Sequence, residues 1–133
     1  MSNKSRGNAF ELKIKKILEG YGFEVDKARA AFIFTAPGKG FSTPNDFFGC
    51  ADLMGIHPEK SYTLFIQCTL GDRGARRKKL EAVPWNLAHQ RVQLWSRSTK
   101  KRGQLFTQQL FNTPQGFDWV EHLFIPGKEA PPL

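Results

Sequence analysis

The most informative segment of the chain is residues 51–69, which read ADLMGIHPEKSYTLFIQCT. Two apolar runs, residues 51–56 and 62–69, lie on either side of a polar segment that contains Pro58. Apolar runs of this length joined by a short polar turn predict a β-hairpin. We therefore expect two antiparallel strands in this segment.

The turn of this hairpin decides which side chains share a face. If residues 58–61 form the loop, counting outward places Asp52 opposite Gln67. Directly opposed residues of an antiparallel pair share a face, with Cβ atoms about 5 Å apart, and Thr69 points the same way. A carboxylate, an amide and a hydroxyl would then converge at one end of the sheet. A loop longer by one residue would put Asp52 on the opposite face.

Before the hairpin, the pattern predicts a helix, a strand and a loop. Residues 8–19 predict the helix because, at about 100° per residue, one arc collects the apolar side chains Phe10, Ile14, Ile17, Leu18 and Tyr21. Residues 23–28 alternate apolar with charged residues and predict a short strand. The apolar run 30–35 fits a strand or a helix. Residues 36–45 contain two prolines and two glycines and predict a loop.

After the hairpin, a basic helix and three strands are expected. Residues 75–83 predict the helix, which Pro84 ends. Residues 91–97 alternate as a half-buried strand would, with Val92 and Leu94 on one face. Further strands are expected at residues 104–111 and 119–125, followed by a loose tail at residues 126–133. Helices and strands in this order indicate a single mixed α/β (α+β) domain over residues 1–125.

The charge distribution indicates a polyanionic partner. The chain has 133 residues, enough for one core, and its 20 Lys and Arg exceed its 12 Asp and Glu to give a net charge of +8. The excess is concentrated in two clusters, Arg73, Arg76, Arg77, Lys78 and Lys79, and then Arg97, Lys100, Lys101 and Arg102. Such clusters attract nucleic acid by releasing counterions from phosphate. A solvated face is the alternative, and a membrane surface fits poorly because no basic amphipathic helix has a wide apolar face.

Other classes of site and location are disfavoured. No stretch approaches the roughly 20 apolar residues of a membrane helix, and no signal peptide is apparent, so we expect a cytoplasmic protein without a membrane partner. Cys50 and Cys68 lie in apolar segments and are expected to pack in the core. The cysteines and histidines are scattered singly, so a zinc site is not expected.

Glu11 adds a second carboxylate to the pair formed by Asp52 and Gln67. On the predicted helix it lies beside Leu18 at the rim of the apolar arc, from where it can reach over the edge of a sheet beneath. Hard cations such as Mg²⁺ take oxygen ligands and keep several waters, so two carboxylates and one neutral oxygen would suffice. Each residue also has an ordinary explanation. Glu11 would be a first-turn acid favoured by the helix dipole, Asp52 would cap a turn, and Gln67 would be a strand residue whose amide is hydrogen-bonded.

Four short motifs follow one another in a characteristic order. They are RGNAFE at residues 6–11, GFEV at 22–25, DL at 52–53 and FIQCT at 65–69. This arrangement resembles the PD-(D/E)XK nuclease superfamily, and within it the archaeal-type Holliday-junction resolvases and their phage relatives. The resemblance implies a restriction-endonuclease-like core, with a central mixed sheet flanked by helices.

The resemblance also implies a Mg²⁺ or Mn²⁺ site held by Glu11, Asp52 and Gln67, with Asp46 as the second choice for the central aspartate. In the last motif, Q-C-T replaces an acid, one residue and a lysine. Gln67 contributes no charge, and Thr69 cannot replace an ammonium that stabilises developing phosphate charge. A lysine from elsewhere would have to serve, and the candidates are Lys27, Lys78 and Lys79.

The function implied is a metal-dependent endonuclease that cuts DNA, at junctions if it follows these relatives, as a homodimer with one site for each symmetric strand. Its expected catalytic residues are Glu11, Asp52, Gln67 and Thr69. Its expected phosphate contacts are Arg6, Arg73, Arg76, Arg77, Lys78, Lys79, Lys100, Lys101 and Arg102. A rival interpretation is a nuclease-derived module that holds structured DNA without cutting it, which Gln67 and Thr69 favour. A basic RNA-binding protein is a third interpretation.

Aromatic residues leave two interpretations open. Trp85 and Trp95 could stack on bases, although core or dimer packing is favoured for each. Five phenylalanines precede the hairpin in a segment rich in glycine and proline, namely Phe32, Phe34, Phe41, Phe47 and Phe48. Core filling is the favoured role for them, over a dimer surface or a wedge against branched DNA.

Overall fold

The structure is a computed structural model that describes residues 3–29, 31–43 and 46–133. Two helices and eight strands occur in these residues, in the order α1 (Asn3–Gly20), β1 (Glu24–Lys27), β2 (Ala31–Ala36), β3 (Lys39–Thr43), β4 (Leu53–Ile56), β5 (Thr63–Cys68), α2 (Arg73–Glu81), β6 (Gln90–Arg97), β7 (Leu105–Thr113) and β8 (Gly116–Phe124). The expected mixed α+β architecture is confirmed.

Six strands form one sheet in the spatial order β1-β4-β5-β6-β7-β8, and β2 and β3 form a separate hairpin. Strand β6 pairs parallel to β5, while the other described pairings in the large sheet are antiparallel. Parallel neighbours need a crossover connection, and α2 lies in the connection between these two strands. The sheet is therefore mixed, as expected.

The two helices cover opposite faces of the sheet. Successive side chains of a strand point to opposite faces, and the core divides accordingly. One cluster packs α1 on the sheet through residues that include Phe10, Ile14, Leu18, Leu53, Leu64, Ile66, Cys68 and Trp95. The other packs α2 through Leu80 and includes Cys50, Val92, Leu94 and Leu110. Both cysteines are buried and free of disulfide bonds, which confirms their predicted core packing.

The segment expected to be a loop over residues 36–45 contains a strand instead. Ala36 pairs with Lys39, so β2 and β3 form a hairpin with a two-residue turn. Gly38 in that turn has a φ of 73°, a conformation that glycine adopts without a steric penalty. Proline and glycine thus mark a tight turn between two strands, and the loop prediction was wrong. The open choice for residues 30–35 is settled as strand for residues 31–35.

Core filling is wrong for three of the five phenylalanines in this region. Phe34, Phe41 and Phe48 are exposed by 77%, 50% and 64%. Phe47 is half-buried, and Phe32 lies outside the residues whose side chains are described. Phe48 rests edge-on against Phe65, with ring centroids 5.6 Å apart. The apolar segment before the β4–β5 hairpin is therefore largely at the surface.

Strand β6 is buried on both faces, and its predicted half-exposure was wrong. It lies between β5 and β7 in the sheet and is covered by a core cluster on each face. Trp95 is fully buried and donates from Nε1 to Gln93 Oε1 at 2.8 Å, so it cannot stack on a base. A strand in the middle of a covered sheet needs no polar face.

The last eight residues form no helix or strand but contact the body of the domain. The Pro132 carbonyl accepts a hydrogen bond from buried Gln93 Nε2 at 2.7 Å, and Leu133 packs against the core beneath α1. Within the described residues, no helix is both long and apolar enough to span a bilayer.

The packing of α1 predicts a contrast between two neighbouring truncations. Ile14 is fully buried while Leu12 is 46% exposed on the same helix. We expect Ile14→Ala to lower the free energy of unfolding by about 2–5 kcal/mol, because it leaves a cavity. Leu12→Ala should change it by about 0.5 kcal/mol or less. Urea denaturation measures both, and equal losses would contradict the assigned helix face.

Candidate active site

A cleft of about 550 Å³ opens where the first turns of α1 meet the end of β5 and the start of α2. Its lining residues are Arg6, Gly7, Glu11, Asp52, Gln67, Cys68, Thr69, Leu70, Gly71 and Arg76. The four predicted catalytic residues, which come from distant parts of the sequence, therefore border one cavity. Two of the predicted phosphate-binding residues, Arg6 and Arg76, border it with them.

The hairpin has the register that the short turn predicts. Leu53 pairs with Ile66 across β4 and β5, and the backbone amide of Asp52, just before β4, donates to the Ile66 carbonyl at 2.8 Å. The side chains of Asp52 and Gln67 contact each other, with Gln67 Nε2 donating to Asp52 Oδ2 at 2.8 Å. They therefore lie on the same side of the hairpin, and the predicted shared face is confirmed.

Asp52 is a nearly buried carboxylate held by two donors from β5. Its Oδ2 accepts from Gln67 Nε2 and from the Cys68 backbone amide, each at 2.8 Å. The pKa of Asp52 is raised from 3.8 to about 7, and burial is the largest cause. The charges of Glu11 and Asp46 contribute to this increase, whereas the Cys68 hydrogen bond and the Arg76 guanidinium oppose it. The hydrogen bonds and positive charge around Asp52 therefore do not offset the cost of burying its ionised carboxylate.

Gln67 contributes an oxygen without a partner. Its Nε2 contacts two acceptors, Asp52 Oδ2 and the Cys68 carbonyl at 3.1 Å, which fixes the amide nitrogen on that side. Its Oε1 is buried and has no hydrogen-bond partner among the described residues. A buried polar atom without a partner is costly, and here it belongs to a residue that lines the cleft.

Glu11 is ion-paired with a lysine of the first strand. Lys27 Nζ lies 3.1 Å from Glu11 Oε2, with both side chains largely covered. Lys27 ends β1, which pairs with β4 so that Lys27 is opposite Leu53, next to Asp52. Lys78 and Lys79 are exposed on α2, and neither they nor Lys27 line the cleft. Of the three lysines considered as replacements for the motif lysine, Lys27 is the one placed beside a predicted catalytic residue.

Thr69 and Asp46 occupy the margins of this arrangement. Thr69 lines the cleft, is buried, and accepts the Gly71 amide at its Oγ1 at 3.0 Å. Its hydroxyl hydrogen remains able to donate. Asp46 is close enough to raise the pKa of Asp52 but does not line the cleft. Asp52 is therefore better placed than Asp46 to be the central aspartate.

The cleft is lined by oxygen atoms of the kind that hard divalent cations bind. Among the described residues, no three acidic, histidine or cysteine side chains converge as a metal group. The candidate ligands are two carboxylates, Glu11 and Asp52, and the free amide oxygen of Gln67 beside them. Mg²⁺ and Mn²⁺ accept such oxygen ligands and complete their shell with water or substrate phosphate.

Most of the basic residues that the structure describes have no carboxylate within ion-pair distance. Within the described residues, two ion pairs form, Lys15 with Glu19 and Lys27 with Glu11. Five of the nine predicted phosphate contacts line a cleft. Arg6 and Arg76 line the candidate active site, Arg73 and Lys100 line a second cleft, and Arg102 lines a third. Arg77, Lys78, Lys79 and Lys101 line none of these three.

Two further basic residues, Lys13 and Arg97, line the third cleft together with Arg102. Arg97 belongs to the second basic cluster that the sequence predicts to attract nucleic acid, whereas Lys13 was not predicted as a contact. Arg97 lies over the Phe10 ring, 5.4 Å from its centroid. This contact depends on how α1 meets the end of β6, for which the sequence pattern holds no signal.

No family model, curated protein or solved structure matches the chain significantly.

The raised pKa of Asp52 predicts the pH dependence of an Asp52→Asn variant. Ionising Asp52 is harder in the folded than in the unfolded protein, so this residue lowers stability as pH rises above 3.8, fully so above about 7. Without divalent metal, Asp52→Asn should therefore be more stable than the wild type at pH 8, by at most about 4 kcal/mol. The difference should disappear near pH 4.

Denaturation at a series of pH values in EDTA measures this difference. Asp118→Asn, at an exposed position of β8, is the matched control and should show little change with pH. A wild type that is more stable than Asp52→Asn at pH 8 would contradict the assigned burial of the charge.

Proposed function

We propose that the chain is a divalent-metal-dependent DNA endonuclease, a variant of the PD-(D/E)XK type whose last motif carries an amide in place of the acid. The observation that carries this proposal is the convergence of Glu11, Asp52 and Gln67 on one cleft. These residues come from the first helix and from both strands of a hairpin, in the order that the resemblance to junction resolvases implies. The mixed sheet flanked by helices is compatible with it.

Glu11, Asp52 and Gln67 Oε1 are the residues that would hold Mg²⁺ or Mn²⁺. When bound, such an ion polarises a phosphodiester and lowers the pKa of a coordinated water. Other groups of the chain orient the oxygens that would bind the ion. Gln67 Nε2 and the Cys68 amide orient the Asp52 carboxylate, and the amide plane of Gln67 then directs Oε1 away from those contacts.

The substrate phosphates would be bound by the arginines of the same cleft. Arg6 lies on the first turn of α1 and Arg76 on α2, and both border the cleft together with the acidic residues. A guanidinium can donate two parallel hydrogen bonds to phosphate oxygens. Donors from two helices would hold the scissile phosphate near two carboxylates that would otherwise repel it.

Lys27 takes the role of the missing motif lysine in this proposal. Its ammonium is held at 3.1 Å from Glu11, so it brings a positive charge to the site from a different strand. Thr69, at the motif position, contributes a neutral hydroxyl. A homodimer would supply a second site for the opposite strand of a symmetric DNA substrate.

The alternative function is a DNA-binding module derived from a nuclease. Gln67 and Thr69 together remove one negative and one positive charge relative to the family pattern. An uncharged amide weakens a metal site, while the basic residues around the cleft are unaffected. In this alternative the chain binds structured DNA and does not cut it.

Metal-dependent cleavage decides between the two functions. We expect the full chain to nick four-way junction or linear duplex DNA with Mg²⁺ or Mn²⁺ and not with EDTA. Glu11→Ala and Asp52→Ala should abolish the nicks, while binding in EDTA stays within a few-fold of the wild type. Binding without nicks under all metal conditions would overturn the endonuclease and support the module.

The proposed role of Lys27 predicts that breaking its ion pair with Glu11 slows cleavage, whereas breaking the similar Lys15–Glu19 pair does not. Lys27→Ala should reduce the cleavage rate by about 10²–10³, the range seen when a group that stabilises transition-state charge is removed. Lys15→Ala breaks the exposed Lys15–Glu19 pair, which has a similar distance of 3.0 Å, and should leave cleavage unchanged. Single-turnover kinetics measure both rates, and equal rates for the two variants would contradict the role of Lys27.

A further inference from the structure

A second cleft of about 420 Å³ lies next to the candidate active site. Its lining residues are Arg73, Ser98, Thr99, Lys100, Phe106, Glu121, His122 and Leu123. Arg73 begins α2 and precedes Arg76 of the first cleft by three residues, so both side chains project from the same face of the helix. Both clefts therefore meet the first turn of α2, and each is bordered by one arginine of that turn.

One side of this second cleft is suited to a phosphate group. Arg73 and Lys100 approach it from different elements, and neither forms an ion pair with a described carboxylate. Lys100 is positioned by a turn in which the Ser98 hydroxyl accepts the Lys100 amide at 3.1 Å and donates to Gln104 at 2.8 Å. A phosphate could therefore bind without displacing an existing ion pair.

A flat and apolar surface lies beside these cations. The Arg73 guanidinium carbon lies over the Phe106 ring, 4.5 Å from its centroid, which fixes the guanidinium plane near the aromatic side chain. Leu123 of the edge strand β8, which is paired with Phe106, lies beside it. A base can stack on a guanidinium plane.

The one carboxylate in the lining does not cancel the positive charge. Glu121 Oε1 accepts a hydrogen bond from Gln108 Nε2 at 3.2 Å and so has a partner of its own. The cleft contains two permanent cations and one carboxylate, which leaves it net positive. Cations that can bind a phosphate, a flat surface that can bind a base and a concave shape together match one nucleotide.

We propose that this cleft binds one unpaired nucleotide of the DNA strand that passes from the active site over the first turn of α2. The proposal rests on the proposed endonuclease function, which it deepens by naming the substrate class. A base stacked inside a duplex cannot enter a concave pocket, because it must first leave the stack. The cleft therefore favours DNA with a single-stranded segment beside the scissile phosphate over fully paired DNA.

Equilibrium binding to matched DNAs tests the proposal. The full chain is titrated in EDTA, at one fixed salt concentration, against a labelled blunt duplex and the same duplex with a 5′ or a 3′ single-stranded extension. We expect one of the extended duplexes to bind about tenfold tighter than the blunt one, as one stacked base would provide. Lys100→Ala and Arg73→Ala, both at exposed positions, should remove most of this preference.

Lys101→Ala is the matched control because Lys101 follows Lys100 in the same turn and does not line the cleft. It should weaken binding to all DNAs equally and by a small factor. Loss of affinity in Lys100→Ala that is the same for blunt and extended DNA would overturn the proposal, as would a preference that survives both cleft variants.

Competition with a free deoxynucleoside monophosphate distinguishes a strand from a free nucleotide. The monophosphate should fail to displace extended DNA at concentrations far above that of the protein. Displacement at low concentration would identify a free-nucleotide site and overturn the assignment to a strand. These results do not depend on cleavage: absence of metal-dependent nicks with an intact preference would refute the endonuclease alone, and nicks without a preference would refute the nucleotide cleft alone.

Discussion

The candidate site depends on one short contact, the Asp52 carboxylate accepting two hydrogen bonds from β5. The side-chain amide of Gln67 and the backbone amide of Cys68 both donate to the same oxygen, so the start of β4 is tied to the end of β5. A shift of the hairpin by one residue would turn Asp52 to the other face. The length of the turn at residues 57–62 therefore determines which face Asp52 occupies at the opposite end of the strands.

The same contact leaves a charge imbalance that favours a cation. Asp52 is almost buried, and Glu11 adds a second negative charge that raises its pKa. Lys27 pairs with Glu11, while Asp52 has hydrogen-bond donors but no ion pair among the described residues. Gln67 adds a buried oxygen without a hydrogen-bond partner among the described residues. The divalent cation that we propose would satisfy both the carboxylate and this amide oxygen, and would offset the cost of burying them.

The sequence predicted those features that are set by local spacing. The shared face of Asp52 and Gln67 follows from turn length, and the buried face of α1 from apolar periodicity. Features that depend on which elements become neighbours were not predictable. Strand β6 is buried because it lies between β5 and β7, Lys27 reaches Glu11 because β1 pairs with β4, and the second cleft joins α2, β7 and β8. Strand β3 was missed because Pro37 and Gly38 indicate a loop and a tight turn equally well.

The most direct test of the proposed metal site is a crystal structure of the protein soaked in Mn²⁺, with the ion located by its anomalous scattering. The account predicts one peak in the cleft, with a carboxylate oxygen of Glu11, one of Asp52 and Oε1 of Gln67 as ligands at about 2.1 Å. Mn²⁺ absent from this cleft at saturating concentration, or a Gln67 that presents its nitrogen to the cleft, would contradict it.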